Sequence, residues 1–600
     1  MTPARYAACL CVFQAALAVS PAPAQTPTVQ TTQTTQNSTQ PEYTIRTRVP
    51  ITILDVIVTD RDGHPVHDLT EADFTILEDN QEVAAKSFEE HRTDTLPATP
   101  LAPPPPLPAN TFTNVIPATP DRPINILLLD SSNAPMQVQQ IVQQQMLAYV
   151  ARMPPGAQFA VFSLTTHLTI LQGFTTDPGL VRAAITGKKN IAQLSALEDF
   201  GQDPMNGEVT DGPRWVQVEH EGQAAAMRAQ YTFAALAQIA RFLSGVPGRK
   251  NLIWFGGSFP TQYPPVADSY LFPPPGSPPN ANGGAPPPVY DVDTDLKAVI
   301  EQLARARVAL YPIDGRGVEN ILPENKSATK LSAHGAMILG EQDTMLTLAE
   351  RTGGKAFYNT NGLTEAVEKA VDLGANFYTL IYTPTNQNLD TRFRNIKVRV
   401  NRPGLHLIYR NGYYANPPEV STTGRKLLPQ PTPMEAAMLR GAPAPSQVRF
   451  QVSVALKPTP PPRASPGYLP NGFAPPATKD TRPTYRRYTL AYTLTAADLA
   501  FATTADGSRT AHFQFAVLVY NAADGNLANS TATEVHAVFN TANYKAALLN
   551  GLTGDLDADV PTKGDFVLRI GIRDFTSNRV GVIEVPLAAL RPGPAQTASP

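Results

Sequence analysis

Asp130 and Ser132 are the residues whose types and spacing best support chemistry. They set a carboxylate and a hydroxyl two positions apart, directly after the apolar run Ile124-Asn125-Ile126-Leu127-Leu128-Leu129. A short run of that kind reads as a strand, and the loop at its C-terminal end is where open α/β sheets bind ligands. Oxygen atoms placed there can meet a ligand. They can equally cap the helix-patterned stretch that follows, because Asp and Ser side chains take up free backbone N–H groups. Asp314, in Ile313-Asp314-Gly315-Arg316, ends a further strand. It either approaches the same rim or pairs with its neighbouring Arg and turns the loop.

Other chemically suggestive groupings fall short of catalytic sets. His220-Glu221 has no second histidine at the spacing of a zinc-protease helix, and Gly256-Gly257-Ser258-Phe259-Pro260 is not a nucleophile elbow. No phosphate-binding or dinucleotide glycine pattern occurs. Asp555, Asp557 and Asp559 form a D-x-D-x-D array, but Val560 and Phe566 stand where a calcium loop needs Gly and Glu. That array reads as a solvated acidic turn, and Asp291, Asp293 and Asp295 read as charges suited to a helix N-terminus. With no convergent acid, base and nucleophile, the expectation is a protein that is not an enzyme; a hydrolase with an unrecognised site is the alternative from another class.

The elements that must position Asp130 alternate as in a βαβ protein. A strand at 124–130 is followed by a helix near 135–152, strands at 158–164 and 168–171, a helix at about 221–244 and a strand at 251–255. Helix 293–307, strand 308–313, helix 342–352, strand 355–358 and helix 363–373 complete an α/β doubly wound sheet. Before it, the segment 43–92 carries β-type runs, and after it 375–416 carries alternating strands. Each is too small for a core alone, so the two are expected to pair as one discontinuous β domain with the α/β domain of 122–374 inserted. Residues 446–593 read as a separate C-terminal β-sandwich.

Six hundred residues exceed one core, and the 60 prolines gather in blocks, marking Pro-rich linkers at 93–121 and 417–445. Net charge of −3 gives no footprint for nucleic acid or anionic lipid. Residues 1–24 combine Arg5, an apolar stretch to Val19 and Ala22-Pro23-Ala24, the pattern of a secretory signal peptide; the Thr-, Gln-, Pro- and Ser-rich 25–42 reads as a flexible tether. An exported protein is expected, periplasmic, at the cell surface or extracellular, with no integral membrane segment. Both cysteines, Cys9 and Cys11, lie in that leader, so the mature chain would hold no disulfide or thiolate site.

The loop Asp130-Ser131-Ser132-Asn133-Ala134 resembles the first metal-site loop of von Willebrand factor type A (VWA) domains, whose pattern is Asp-x-Ser-x-Ser. The runs Val246 to Phe255, Asp55 to Asp60 with Asp73-Phe74, and Phe377-Tyr378 to Gly412-Tyr413-Tyr414 resemble the VWA-related proteins abundant in acidobacteria, over roughly residues 45–415. The resemblance implies a VWA fold and a rim where Mg²⁺ or Mn²⁺ would be held by Asp130, Ser132 and Thr232, helped by Asn133 or Ser258. Ala134 replaces the second Ser of the pattern, and Gly256, Gly257 and Ser258 stand where the family has an Asp. Losing that carboxylate removes much of the charge that overcomes Mg²⁺ dehydration, which favours capping over metal binding. The expected function is therefore protein binding of adhesion type through a degenerate metal site and an unidentified protein partner; metal-dependent adhesion is the alternative.

Overall fold

In the computed structural model the described residues are 51–92, 107–115, 124–134, 136–187, 214–246, 248–256, 262–263, 290–318, 333–386, 388, 390–415, 432–457, 484–504 and 507–591. The expected signal peptide and tether, Ser258, and nearly all of the Pro-rich insertion from 260 to 288 lie outside them. The chain opens with strands β1 (Thr52–Thr59), β2 (Phe74–Glu78), β3 (Gln81–Val83), β4 (Ala85–His91) and β5 (Thr111–Thr113). The α/β region follows: β6 (Ile124–Asp130), α1 (Met136–Val150), β7 (Gln158–Leu164), β8 (Leu168–Thr175), α2 (Pro178–Thr186), α3 (Arg214–Leu243) and β9 (Lys250–Gly256). A two-stranded pair, β10 (Gln262–Tyr263) and β11 (Tyr290–Asp291), precedes α4 (Asp293–Arg305), β12 (Val308–Asp314), α5 (Ala333–Thr352) and α6 (Leu363–Ala375).

Strand order in the central sheet is β12-β9-β6-β7-β8, parallel except for the antiparallel edge strand β8. The sheet's faces explain the sequence. Parallel strands covered on both sides need apolar residues at nearly every position, which is why β6 reads as a continuous run. Ile126 and Leu128 pack with Phe233, Leu236, Ile239 and Leu243 of α3, while Leu127 turns to Val138, Val142 and Met146 of α1 and to Val367 and Ala370 of α6. Each buried Leu or Ile contributes roughly 1.5–3 kcal/mol. From β6 the chain passes to β7 and β8 on one side and returns through α3 to β9 and β12 on the other. The strand order thus reverses between β6 and β9, and Asp130 and Gly256 end those two strands.

Strands β13 (Phe377–Tyr382), β14 (Phe393–Val400), β15 (His406–Ile408) and β16 (Gly412–Tyr414) pair with those that open the chain, in two four-stranded sheets ordered β15-β1-β13-β4 and β16-β14-β2-β3. All of these pairings are antiparallel, as in Thr52↔Tyr382 and Ile76↔Val398, and the sheets share a core of Leu54, Val56, Ile76, Leu380 and Ile396. The junction to the α/β region combines an apolar cluster of Ile57, Leu373 and Phe377 with an ionic one. Asp55 of β1 accepts from Arg307 Nη2 at 2.6 Å and lies 3.8 Å from Arg249 Nη1. Burial works against the Asp55 charge, yet the two guanidinium groups outweigh it and hold the carboxyl below its ordinary range. Arg307 itself sits at φ +54, a left-handed position after α4 that favours Gly. The Asp55 pair accounts for an Arg there.

The rest of the chain forms α7 (Pro433–Met438), β17 (Phe450–Leu456), β18 (Tyr485–Leu494), β19 (Ala502–Thr503), β20 (Arg509–Asn521), β21 (Leu527–Phe539), α8 (Thr541–Asn550), β22 (Leu552–Pro561), β23 (Phe566–Asp574) and β24 (Val580–Pro586). One sheet is β22-β18-β17-β5 and the other β19-β20-β23-β24 with β21 against β20, enclosing Phe450, Val452, Leu490, Phe515, Val517 and Ile570.

Three expectations need correction. The Asp555, Asp557 and Asp559 array is not a solvated turn: it lies within β22, paired to β18, with Asp559 bonded to Arg487 (2.7 Å) and Asp557 to Lys457 (2.7 Å). Opposite charges supplied across the sheet stabilise what alone would repel. The region 355–358 forms no strand and makes one bridge, Ile313↔Phe357. A ladder continued toward Lys355 would need an N–H from Pro312, which has none, and Asn359 at φ +53 ends the extension on the other side. Finally, the Pro-rich segments are not linkers throughout. Thr111–Thr113 joins the C-terminal sandwich as β5, and α7 packs on β23 with a Thr432–Glu435 capping box at its start.

Candidate functional site

The loop after β6 is built around one buried carboxylate. Asp130 Oδ1 accepts from the backbone N–H of Ser132 (2.9 Å) and of Asn133 (3.1 Å), which turns the chain toward α1. Asp130 Oδ2 accepts from Asn133 Nδ2 (2.7 Å) and from the indole Nε1 of Trp254 (2.9 Å). Four donors thus converge on one side chain that is 3% exposed. Burial pushes the Asp130 carboxyl above its ordinary range although all four hydrogen bonds favour the charge.

The other expected ligands are engaged as well. Ser132 Oγ donates to the Thr165 carbonyl after β7 at 2.7 Å. Thr232, fully buried on α3, donates to the Arg228 carbonyl (2.9 Å) and accepts from Asn133 Nδ2 at 2.8 Å. Asp130, Asn133 and Thr232 are therefore brought together, with the Asn133 amide nitrogen between the carboxylate and the hydroxyl. Asn133 Oδ1 is buried and has no hydrogen-bond partner.

Asp314 does not join them. It ends β12, two strands from β6, or about 10 Å across the sheet. Its carboxylate takes the Arg316 guanidinium through Nε (2.9 Å) and Nη2 (2.8 Å), and Arg316 also bonds Glu341 of α5. These attractions outweigh burial and raise the Arg316 pKa further. At position 256 a Cβ would lie 3.0 Å from Asp130 Cβ, so the end of β9 has little room for a side chain.

Trp254 was the unassigned member of this site. Its pairing opposite Leu128 makes it a diagonal neighbour of Asp130 on the same sheet face, but that follows from the β6–β9 register, which no local motif announces. Beside Asp130 the same loop opens on a cavity of about 140 Å³ lined chiefly by Leu129, Ala134, Met136, Val142, Ile185 and Phe255. Gln139 and Gln143 also line it, but their amides are spent on the carbonyls of Ala134 and Ile185.

These donors do not fit a divalent cation. Mg²⁺ wants oxygen ligands with free lone pairs, whereas N–H groups of Trp254 and Asn133 are aimed at Asp130 Oδ2, and no second carboxylate is among its partners. An amide NH₂ placed between carboxylate and hydroxyl instead supplies neutral, directional donors where a cation would supply charge.

No family model and no curated protein matches the sequence. Among solved structures, the likeness extends over about two fifths to one half of this chain. A von Willebrand factor type A protein from Catenulispora acidiphila is 11% identical with a TM-score of 0.20, over 49% of this chain and 66% of that one. BatB from Bacteroides thetaiotaomicron is 10% identical at 0.20, over 42% of this chain and 98% of that one. The PilB minor pilin from Streptococcus sanguinis is 12% identical at 0.22, over 43% of this chain and 61% of that one. At these scores the likeness says nothing about what this chain binds. Among the described residues, no helix is long and apolar enough to cross a membrane.

Proposed function

We propose that this is a non-catalytic, exported protein-binding chain of adhesion type, whose α/β rim engages its partner without a divalent cation. The observation that carries the reading is the Asn133 amide nitrogen, 2.7 Å from Asp130 and 2.8 Å from Thr232. The rim's position at the strand-order reversal supports a binding role, and its apolar cavity supports an apolar side chain of the partner as the anchor. Export rests on the N-terminal sequence pattern.

A second reading has its own observation. Half a turn of the Asn133 amide would place its partnerless Oδ1 beside Asp130 and Thr232, giving three oxygens and metal-dependent adhesion through Mg²⁺ or Mn²⁺. Calorimetric titration of the full chain with each ion separates the two. The cation-free reading expects no saturable heat that Asp130→Ala removes, and expects Asn133→Asp, which adds a second carboxylate, to gain binding. Saturable binding by the wild type, lost in Asp130→Ala, would replace it with the second reading.

A further inference from the structure

The C-terminal sandwich carries a cluster that the α/β rim does not use. Strands β20 and β21 run antiparallel with His512 opposite His536 and Gln514 opposite Glu534. Strand alternation puts all four on one face, and the residues of β20 that alternate with them, Ala511, Phe513 and Phe515, are buried. That face is therefore the outer one. Ligand atoms of His512, Glu534 and His536 all lie within 4.8 Å of one another. We propose that these three side chains form a zinc site.

Three details favour an ion over a simple surface cluster. His512 Nε2 is buried and has no hydrogen-bond partner, which leaves an imidazole nitrogen unsatisfied unless something else takes its lone pair. It stands 3.6 Å from Glu534 Oε2, beyond a good hydrogen bond. Two ligands about 2.0–2.2 Å from a tetrahedral Zn²⁺ are separated by roughly 3.3–3.6 Å, so the observed spacing suits a shared ion. The His512 ring is also held in place: Phe575 stacks on it at 4.2 Å, and the Phe575 N–H donates to the His512 carbonyl at 3.0 Å.

His536 stacks with His512 at 3.8 Å and is exposed, so its ring can turn onto the ion without backbone movement. The nearby positive charge of Arg573 lies over the Phe575 ring, 5.0 Å from its centroid. Two imidazoles and one carboxylate select a borderline ion such as Zn²⁺ over Mg²⁺ or Ca²⁺, which prefer oxygen alone. Three protein ligands leave the fourth position for water or for a group on a partner.

The test is a competition for Zn²⁺ between the untagged full chain and a chromophoric chelator at pH 7.5. One equivalent should bind to the wild type. His536→Ala and Glu534→Gln should each weaken binding at least about tenfold, since loss of a direct ligand exceeds the loss of an outer-shell partner. Both residues are exposed, so the variants should fold, with an unchanged circular dichroism spectrum as the check. His64→Ala, in the group of half-buried Asp60 with exposed Asp62 and His64, should bind as the wild type does. Absence of uptake by the wild type, full affinity in His536→Ala, or loss in His64→Ala would each overturn the proposal.

Discussion

Asp130→Asn changes one oxygen to NH₂ and leaves the shape almost unaltered, so it tests what the carboxylate does. Both of its oxygens face donors: two backbone N–H groups at Oδ1, and Asn133 Nδ2 with the Trp254 indole at Oδ2. Whichever way the new amide turns, its NH₂ meets two donors. Two hydrogen bonds to a charged acceptor contribute about 1.5–3 kcal/mol each, and the variant is relieved of burying a charge, so the net loss should be roughly 2–4 kcal/mol. The chain's two tryptophans are Trp215 and Trp254, so urea unfolding in a Trp215→Phe background reports on the site itself through Trp254 fluorescence. With a slope near 2 kcal/mol/M, the midpoint should fall by about 1–2 M. A midpoint within about 0.25 M of the parent would refute the four-donor cage.

Lys250 is buried, donates to the Ala306 carbonyl at 2.8 Å, and has its pKa lowered by burial to about 7. Between pH 7 and the ordinary 10.5 the unfolded chain holds this proton and the folded chain does not, so stability should rise with pH, by roughly 2–3 kcal/mol from pH 7 to 9. Lys250→Met should flatten that slope in denaturant titrations; an unchanged slope would remove Lys250 as its cause. Arg569 is buried, with Nε on the Ala437 carbonyl (2.8 Å) and Nη1 on Glu584 (2.7 Å), tying α7 to β23. Arg569→Met leaves those acceptors short of a donor and should cost about 3–5 kcal/mol, read by thermal unfolding, with faster proteolysis near residues 432–445. Unchanged unfolding and proteolysis would show that α7 is held by other contacts.

What could be read in advance follows from how each element is stabilised. β6, β7, β9 and β12 are buried on both faces, so their apolar runs mark them almost to the residue: 124–130 and 158–164 were expected and are present. β22 was missed because its acidic residues look solvated until Arg487 and Lys457, 72 and 100 residues earlier, arrive beside them. The absent strand at 355–358 depended on Pro312 of another element. Within the site, Asp130, Ser132 and Thr232 came from the loop pattern and the family resemblance. The structure adds what their spacing does not contain: Asn133 lies between Asp130 and Thr232, and Trp254 reaches Asp130 from β9.

The most direct test of the cation-free rim uses Trp254 as its reporter. In the full chain labelled with ¹⁵N-tryptophan, two indole resonances are expected, assigned with Trp215→Phe. Trp254 Nε1 lies 2.9 Å from the carboxylate oxygen that any rim-bound ion would have to use. Titration with Mn²⁺, which is paramagnetic, should leave the Trp254 signal as sharp as it is in a chelator control. Saturable broadening of that signal, absent in Asp130→Ala, would show an ion bound at the rim and contradict the account.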